Sequence, residues 1–143
     1  MGRVGVGAVR VAANGILIAD WLNTRSSRED WVCVPEIGAF GFHYHGNILD
    51  PVGLVSPEAA PYQGSTTCRG TLRSRVPPQL VKDHKPRFVV SMGIFSRALV
   101  HDAWFRDHYR ESGRWPWLAA PGRWEDAPTS LWGGEAMYAY ELN

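Results

Sequence analysis

The sequence lacks the features that mark several large functional classes. Two cysteines are too few for a disulfide framework or for a zinc site built from cysteines. The 15 Lys and Arg residues nearly balance the 14 Asp and Glu residues, which argues against a dedicated nucleic-acid-binding surface. No apolar run approaches the ~20 residues of a membrane span. Because Arg3 and Arg10 interrupt the apolar N-terminus, no signal-peptide core is recognisable.

The sequence also contains none of the common catalytic motifs. It has no Walker A loop, no Gly-x-Ser-x-Gly elbow, no His-Glu-x-x-His and no Cys-x-x-Cys pattern. Gly5-Val6-Gly7 is reminiscent of a dinucleotide-binding loop, but no strand is predicted before it and Arg10 occupies the third glycine position. The sequence therefore predicts no cofactor and no metal.

What is present is a composition typical of one globular domain. The 143 residues, with an apolar fraction of 45%, fit a single domain over residues 1–143 with one hydrophobic core. The 15 glycines and 10 prolines predict frequent turns and short helices.

Hydrophobic periodicity and turn residues divide the chain into alternating helices and strands. The predicted elements are a helix at 9–24, a strand at 31–34, a crossover at 36–45, a strand at 47–50, a loop at 55–76, a helix at 77–85, a strand at 87–92, a helix at 97–109 capped by Ser96, and strands at 115–119 and 136–142. The alternation within the last strand is typical of an antiparallel edge strand. This order predicts an α/β fold, a layered sandwich around a central mixed, partly parallel sheet of about five strands with three to four helices.

Two carboxylates follow two strands that we expect to be parallel neighbours. Glu36 comes after the first strand and Asp50 ends the second, so both would project from one edge of the sheet, where open α/β sheets bind ligands. There they could bind a cation or a sugar hydroxyl. The alternative is that Asp50 caps the following turn at Val52 and Gly53 through backbone N–H groups, with Glu36 a surface acid.

His43 and His45 form the most suggestive local cluster. On a strand they would share one face and could chelate a metal, with Glu36 or Asp50 as oxygen ligands. The alternative, which we favour, is an exposed turn between a helix and a strand, because two histidines without a third ligand do not define a metal site.

The cysteines and aromatic residues also allow two interpretations. Cys33 lies in an apolar strand and is expected to be a small core residue, whereas the pairing of Cys68, in the long loop, stays open. The aromatic residues near the C-terminus could stack against a sugar or could seal one side of the core, and we favour the core. This set comprises Trp115, Trp117, Trp124, Trp132, Tyr138 and Tyr140.

Residues 19–58 carry a longer pattern. A helix leads into a strand that ends near Glu36-Ile37-Gly38, a crossover rich in glycine and aromatic residues follows, and the next strand runs into Leu49-Asp50 and Pro57-Glu58. Later, Lys85-Pro86-Arg87-Phe88-Val89-Val90 and the pair Phe105 and Tyr109 fit the same scheme. The pattern resembles the soluble C-terminal domain of multi-spanning membrane glycosyltransferases that use lipid-linked sugars.

The resemblance implies a function for a domain without its membrane module. In such enzymes the catalytic carboxylate lies between membrane helices, so the resemblance assigns no catalytic residue here. It implies a non-catalytic accessory or binding domain that binds a saccharide, a lipid-linked sugar or a protein partner. Such a domain is extracytoplasmic if the chain is a fragment of a membrane enzyme. The lack of an export signal implies a cytoplasmic protein if the chain is complete.

The residues leave three functional hypotheses open. A binding domain would use the strand ends and the long loop, with candidate ligand-binding residues Glu36, His43, His45, Asp50 and Tyr62. A small hydrolase or transferase would use the same carboxylates with one of the histidines for acid–base chemistry. An oligomerising module would pair the strand at 136–142 with its counterpart in a second copy, giving a homodimer.

Overall fold

The computed structural model describes residues 6–63, 76–116 and 136–143 as a five-stranded mixed sheet with helices on both faces. This confirms the predicted α/β fold, with more and shorter helices than expected. The helices are α1 (Val6–Asn23), α2 (Gly38–His43), a 3-10 helix (Pro57–Tyr62), α3 (Pro78–His84), α4 (Gly93–His101) and α5 (Ala103–His108). The strands are β1 (Trp31–Cys33), β2 (Asn47–Leu49), β3 (Phe88–Met92), β4 (Tyr109–Pro116) and β5 (Ala136–Leu142).

The strand order is β2-β1-β3-β5-β4. β1 pairs in parallel with both β2 and β3, as expected for the first two strands. β5 runs antiparallel between β3 and β4. The ends of β1, β2 and β3 therefore meet along one side of the sheet. We call this side, at Cys33, Leu49 and Met92, the carboxyl edge, and the opposite side, at Trp31, Asn47 and Phe88, the amino edge.

The core has two layers because successive strand side chains face opposite sides of the sheet. Val32 points to the layer formed by α1 and α2, whereas Cys33 points to the layer formed by α3 and α5. The first layer includes Ile18, Leu22, Val32, Val34, Phe40 and Phe88, and the second includes Cys33, Leu49, Leu80, Val89, Leu99 and Phe105.

Helix α1 packs closely on α2. A Cβ atom added at Gly15 would lie 3.3 Å from the backbone nitrogen of Phe40, so glycine permits the two helices to approach at this point. With 18 residues α1 is the longest described helix. None of the described helices is long and apolar enough to cross a membrane.

The predicted helix at 97–109 is wrong in its bounds and its cap. Helix α4 begins at Gly93, directly after β3, and ends at His101. Ser96 lies inside α4 and donates its hydroxyl to the Met92 carbonyl at 3.0 Å. The cap is instead Asp102, whose carboxylate accepts the N–H of Phe105 at 3.0 Å and starts α5.

The last two strands also differ from the prediction. β4 begins at Tyr109, well before the expected start at residue 115, and residues 117–119 lie outside the described residues. The edge position of β5 is wrong, because β3 and β4 hydrogen-bond to its two sides. A second copy therefore cannot pair with β5 unless one of these neighbours is displaced.

Candidate functional site

The most elaborate polar arrangement at the carboxyl edge surrounds Asp50. Its side chain is fully buried, with 0% exposure. Oδ1 accepts the N–H of Val52 at 2.9 Å, and Oδ2 accepts the N–H groups of Leu54 at 2.6 Å and Val55 at 3.2 Å. These contacts confirm the turn-capping interpretation of Asp50. They leave this carboxylate bonded to its own loop rather than directed at a ligand.

Ser56 closes the loop on the strand that precedes it. Its hydroxyl accepts the Asp50 N–H at 2.8 Å and donates to the Ile48 carbonyl at 3.3 Å. Gly53 has φ of 85°, a left-handed conformation that glycine adopts without strain, and its N–H donates to the Asp50 carbonyl at 3.1 Å. We call residues 50–56 the braced loop.

The braced loop presents two large apolar side chains to solvent. Leu54 is 77% exposed and Val55 is 60% exposed, although both backbone N–H groups bond to the buried Asp50 carboxylate. Sequence reasoning missed these two residues. The only signal was local, namely apolar residues directly after an Asp-Pro-x-Gly turn, where polar residues are usual.

Glu36 lies at the same edge, as predicted. It follows Pro35 at the end of β1 and is half-buried, and β1 and β2 are directly paired. The structure thus places Glu36 and Asp50 on one side of the sheet.

The two histidines lie at the opposite side of the sheet. Because β1 and β2 are parallel, α2 runs back to the amino edge, and His43 is its last residue. Asn23 fixes this corner: its Nδ2 donates to the His43 carbonyl at 2.8 Å and its Oδ1 accepts the His45 N–H at 2.9 Å. His45 is exposed in the turn before β2, as the exposed-turn interpretation has it, whereas His43 is half-buried at the end of α2. Neither histidine lies at the edge that holds Glu36 and Asp50. The described residues contain no group of three His, Cys, Asp or Glu that could hold a metal.

Tyr62 lies in the segment that directly follows the braced loop, and its neighbour Gln63 donates its side-chain amide to the Pro51 carbonyl. Tyr62 ends the 3-10 helix and donates its hydroxyl to Asp83 of α3 at 2.7 Å. This hydrogen bond raises the pKa of Tyr62 and, together with a second one from Gln79, lowers the pKa of Asp83. The tyrosine ties the 3-10 helix to α3.

Cys33 is the small core residue that the sequence predicts. Its side chain is fully buried, and this burial raises the pKa of its thiol well above the usual range. The thiol therefore stays protonated and is a poor nucleophile. Cys68 lies outside the described residues.

The aromatic residues of β5 pack against each other and against α5. The ring of Tyr140 lies 6.2 Å from that of Tyr138 and 5.3 Å from that of Phe105. The Arg114 guanidinium lies 5.2 Å from the Tyr138 ring, and burial raises the pKa of Tyr140 to about 12. On the other layer Trp115 contacts Trp21 at 5.1 Å. These contacts favour the core interpretation, and the candidates Trp117, Trp124 and Trp132 lie outside the described residues.

A second carboxylate organises the amino edge. Asp30 accepts the N–H of Ser27 at 2.7 Å and a hydrogen bond from Nη1 of Arg87 at 2.7 Å. The same guanidinium lies 3.7 Å from Glu141 on β5. The Ser27 N–H and the Arg87 side chain hold the pKa of Asp30 below its ordinary value. This network joins the starts of β1 and β3 to the end of the antiparallel strand β5.

Comparison with known protein families gives a match over most of the chain. The model of a family described as "Domain of unknown function (DUF8728)" matches residues 8–141. This range contains every described strand except the last residue of β5, and it includes the whole braced loop. No curated protein and no solved structure matches the chain.

Proposed function

The chain belongs to the DUF8728 family, and we propose that it is a non-catalytic binding domain that engages a protein partner through its carboxyl edge. The observation that carries the proposal is the braced loop. A buried carboxylate holds this loop in one conformation, and the loop exposes Leu54 at 77% and Val55 at 60%. A rigid loop with exposed apolar side chains loses little conformational entropy when a partner covers it.

The resemblance noted in the sequence supports the same proposal. The soluble domain of membrane glycosyltransferases packs on or binds beside a catalytic membrane module, and the resembling segment runs through the braced loop to Glu58. We propose kinship with that domain, and with it an accessory role. The partner would then be the protein that holds the catalytic residues.

The geometry gives less support to a stand-alone hydrolase or transferase. General acid–base chemistry requires both groups within reach of one substrate atom. Here His43 and His45 lie at the amino edge, while Glu36 and Asp50 lie at the carboxyl edge. Both Asp50 oxygens already accept backbone N–H groups.

Site-specific photocrosslinking in the cells that produce the chain tests the proposal. A photoreactive phenylalanine analogue replaces Leu54 in one variant and Phe42 in a control variant. Phe42 is 87% exposed but lies on α2, whose C-terminal end is at the amino edge. We expect a discrete protein adduct from position 54 and none from position 42.

Two results would contradict this function. One is the same set of adducts from both positions, and the other is no protein adduct from position 54.

A parallel thermal-shift screen of the purified domain with soluble saccharides and a polyprenyl-phosphate sugar covers the saccharide alternative. Stabilisation by a sugar that Leu54→Ser leaves unchanged would move the binding site away from the braced loop.

A further inference from the structure

The hydrogen bonds of the braced loop determine which backbone groups face outward. In a trans peptide the carbonyl of one residue points opposite to the N–H of the next. The N–H groups of Gly53, Leu54 and Val55 all turn inward to Asp50. The carbonyl groups of Val52, Gly53 and Leu54 therefore point away from Asp50.

These three carbonyl oxygens are potential hydrogen-bond acceptors. Among the described residues no hydrogen bond is made to the carbonyl oxygens of Val52, Gly53 or Leu54. The outward ends of these peptide dipoles are negative. The sequence adds no positive charge nearby along the chain, since no Lys or Arg stands between Arg28 and Gln63. The outer surface of the loop thus combines apolar side chains with hydrogen-bond acceptors.

From this combination we infer that the partner segment is amphipathic and basic: an apolar stripe that covers Leu54 and Val55, flanked by Lys or Arg side chains that donate to the loop carbonyls. The inference rests on the proposed function and specifies the chemistry of its partner. Ammonium and guanidinium groups are donors without acceptor atoms, so they match a surface that offers acceptors alone. Charge-assisted hydrogen bonds of this kind are the stronger ones.

Two other ligand classes fit this surface poorly. An anionic lipid headgroup presents phosphate oxygens, which are acceptors and meet the carbonyl oxygens with like polarity. A sugar ring packs its apolar face on aromatic rings, whereas the exposed side chains here are aliphatic. Anionic vesicles represent the lipid class in the test below, and the thermal-shift screen described above covers the sugar class.

The experiment measures fluorescence anisotropy of three labelled helical peptides with the same leucine stripe. Their polar face is Lys, Gln or Glu. We expect the Leu/Lys peptide to bind at least about tenfold tighter than the Leu/Gln peptide and the Leu/Glu peptide not to bind. Raising the salt concentration should weaken the Leu/Lys complex, because ions screen the attraction. Phosphatidylglycerol vesicles should not bind.

Variants locate the interaction. Leu54→Ser with Val55→Ser should weaken binding of the Leu/Lys peptide at least about tenfold, since two aliphatic contacts are lost. Phe42→Ser, at a more exposed apolar position on α2, should leave the affinity for the Leu/Lys peptide unchanged. Equal affinity for the Leu/Lys and Leu/Gln peptides, binding of the vesicles, or binding that survives the double substitution would overturn the inference.

The two proposals fail separately. A specific protein adduct at position 54 combined with no preference for the Leu/Lys peptide overturns only the basic character of the partner. Absence of that adduct overturns the proposed function as well, whatever the peptides do.

Discussion

The two edges of the sheet are each organised by one aspartate, and they use it to opposite effect. At the amino edge Asp30 bonds to Ser27 and Arg87, and Arg87 continues to Glu141, so polar groups from three parts of the chain are joined. At the carboxyl edge Asp50 is completely buried, and its hydrogen bonds within the described part of the chain all stay in its own loop. The result there is a loop that directs apolar side chains outward.

The difference concerns what each carboxylate stabilises. Asp30 retains 23% side-chain exposure, so water and a neighbouring cation share its solvation. The buried Asp50 carboxylate is solvated by three backbone N–H groups instead of by water. Each of these N–H groups would lose its acceptor if the carboxylate were removed. Asp30 therefore stabilises contacts between separate elements at the amino edge, whereas Asp50 stabilises the conformation of a single loop at the carboxyl edge.

Replacing the buried carboxylate should have the largest effect. Asp50→Ala leaves the N–H groups of Val52, Leu54 and Val55 without their acceptor, and we expect a loss of about 3–5 kcal/mol in the free energy of unfolding. Asp50→Asn keeps one acceptor oxygen, so we expect it to lower the free energy of unfolding by less than Asp50→Ala does. Urea unfolding at neutral pH measures both. If Asp30→Ala proves as costly as Asp50→Ala, the two edges do not differ as described.

The corner that holds the histidines offers the next test. Asn23→Ala removes the side chain that bonds to the backbone of both His43 and His45, so we expect a loss of about 1–2 kcal/mol. Thr24→Ala is a suitable control, because Thr24 is exposed and its hydroxyl donates to the Trp21 carbonyl in the same turn. A small effect of Asn23→Ala, equal to that of Thr24→Ala, would mean that the amino edge does not depend on this contact.

The sequence predicted the parts of the carboxyl edge that depend on local signals. Two short apolar runs about ten residues apart indicated parallel neighbours, and an aspartate before Pro51 and Gly53 indicated a capped turn. Both expectations are confirmed: the capped turn joins groups only a few residues apart, and a single short crossover links the two paired strands. The exposure of Leu54 escaped prediction, since an apolar residue carries the same signal whether it is buried or not.

The amino edge depends on contacts that no local pattern encodes. Asp30 and Arg87 are separated by 57 positions in the chain, and Glu141 is further still. The alternation in β5 correctly indicated an antiparallel strand, but it reports which residues share a face and not which strands flank it. The apolar pattern continues across Asp102, so the break between α4 and α5 was hidden.

Acid should weaken the amino edge through Asp30. The Ser27 N–H and Arg87 lower the pKa of Asp30 in the folded protein, so its contribution to stability is full above the unfolded-state pKa of about 3.9 and is lost as the pH falls through the folded-state pKa. At pH 7 we expect Asp30→Asn to reduce the free energy of unfolding by about 1 kcal/mol. In urea titrations this difference should narrow below pH ~4. A difference that stays constant down to pH ~3 would show that the charge of Asp30 contributes nothing.

The smallest effect on stability is expected where the largest effect on binding is proposed. Leu54→Ser with Val55→Ser changes side chains that are 77% and 60% exposed, so the free energy of unfolding should change by no more than about 0.5 kcal/mol. Leu49→Ser, at the end of strand β2, is the contrasting variant. Because the Leu49 side chain is only 1% exposed, we expect this substitution to lower the free energy of unfolding severely. Thermal and urea unfolding measure both. A double substitution that costs more than ~1 kcal/mol would mean that the chain itself covers these side chains. The carboxyl edge would then offer a partner no exposed apolar surface at these two residues.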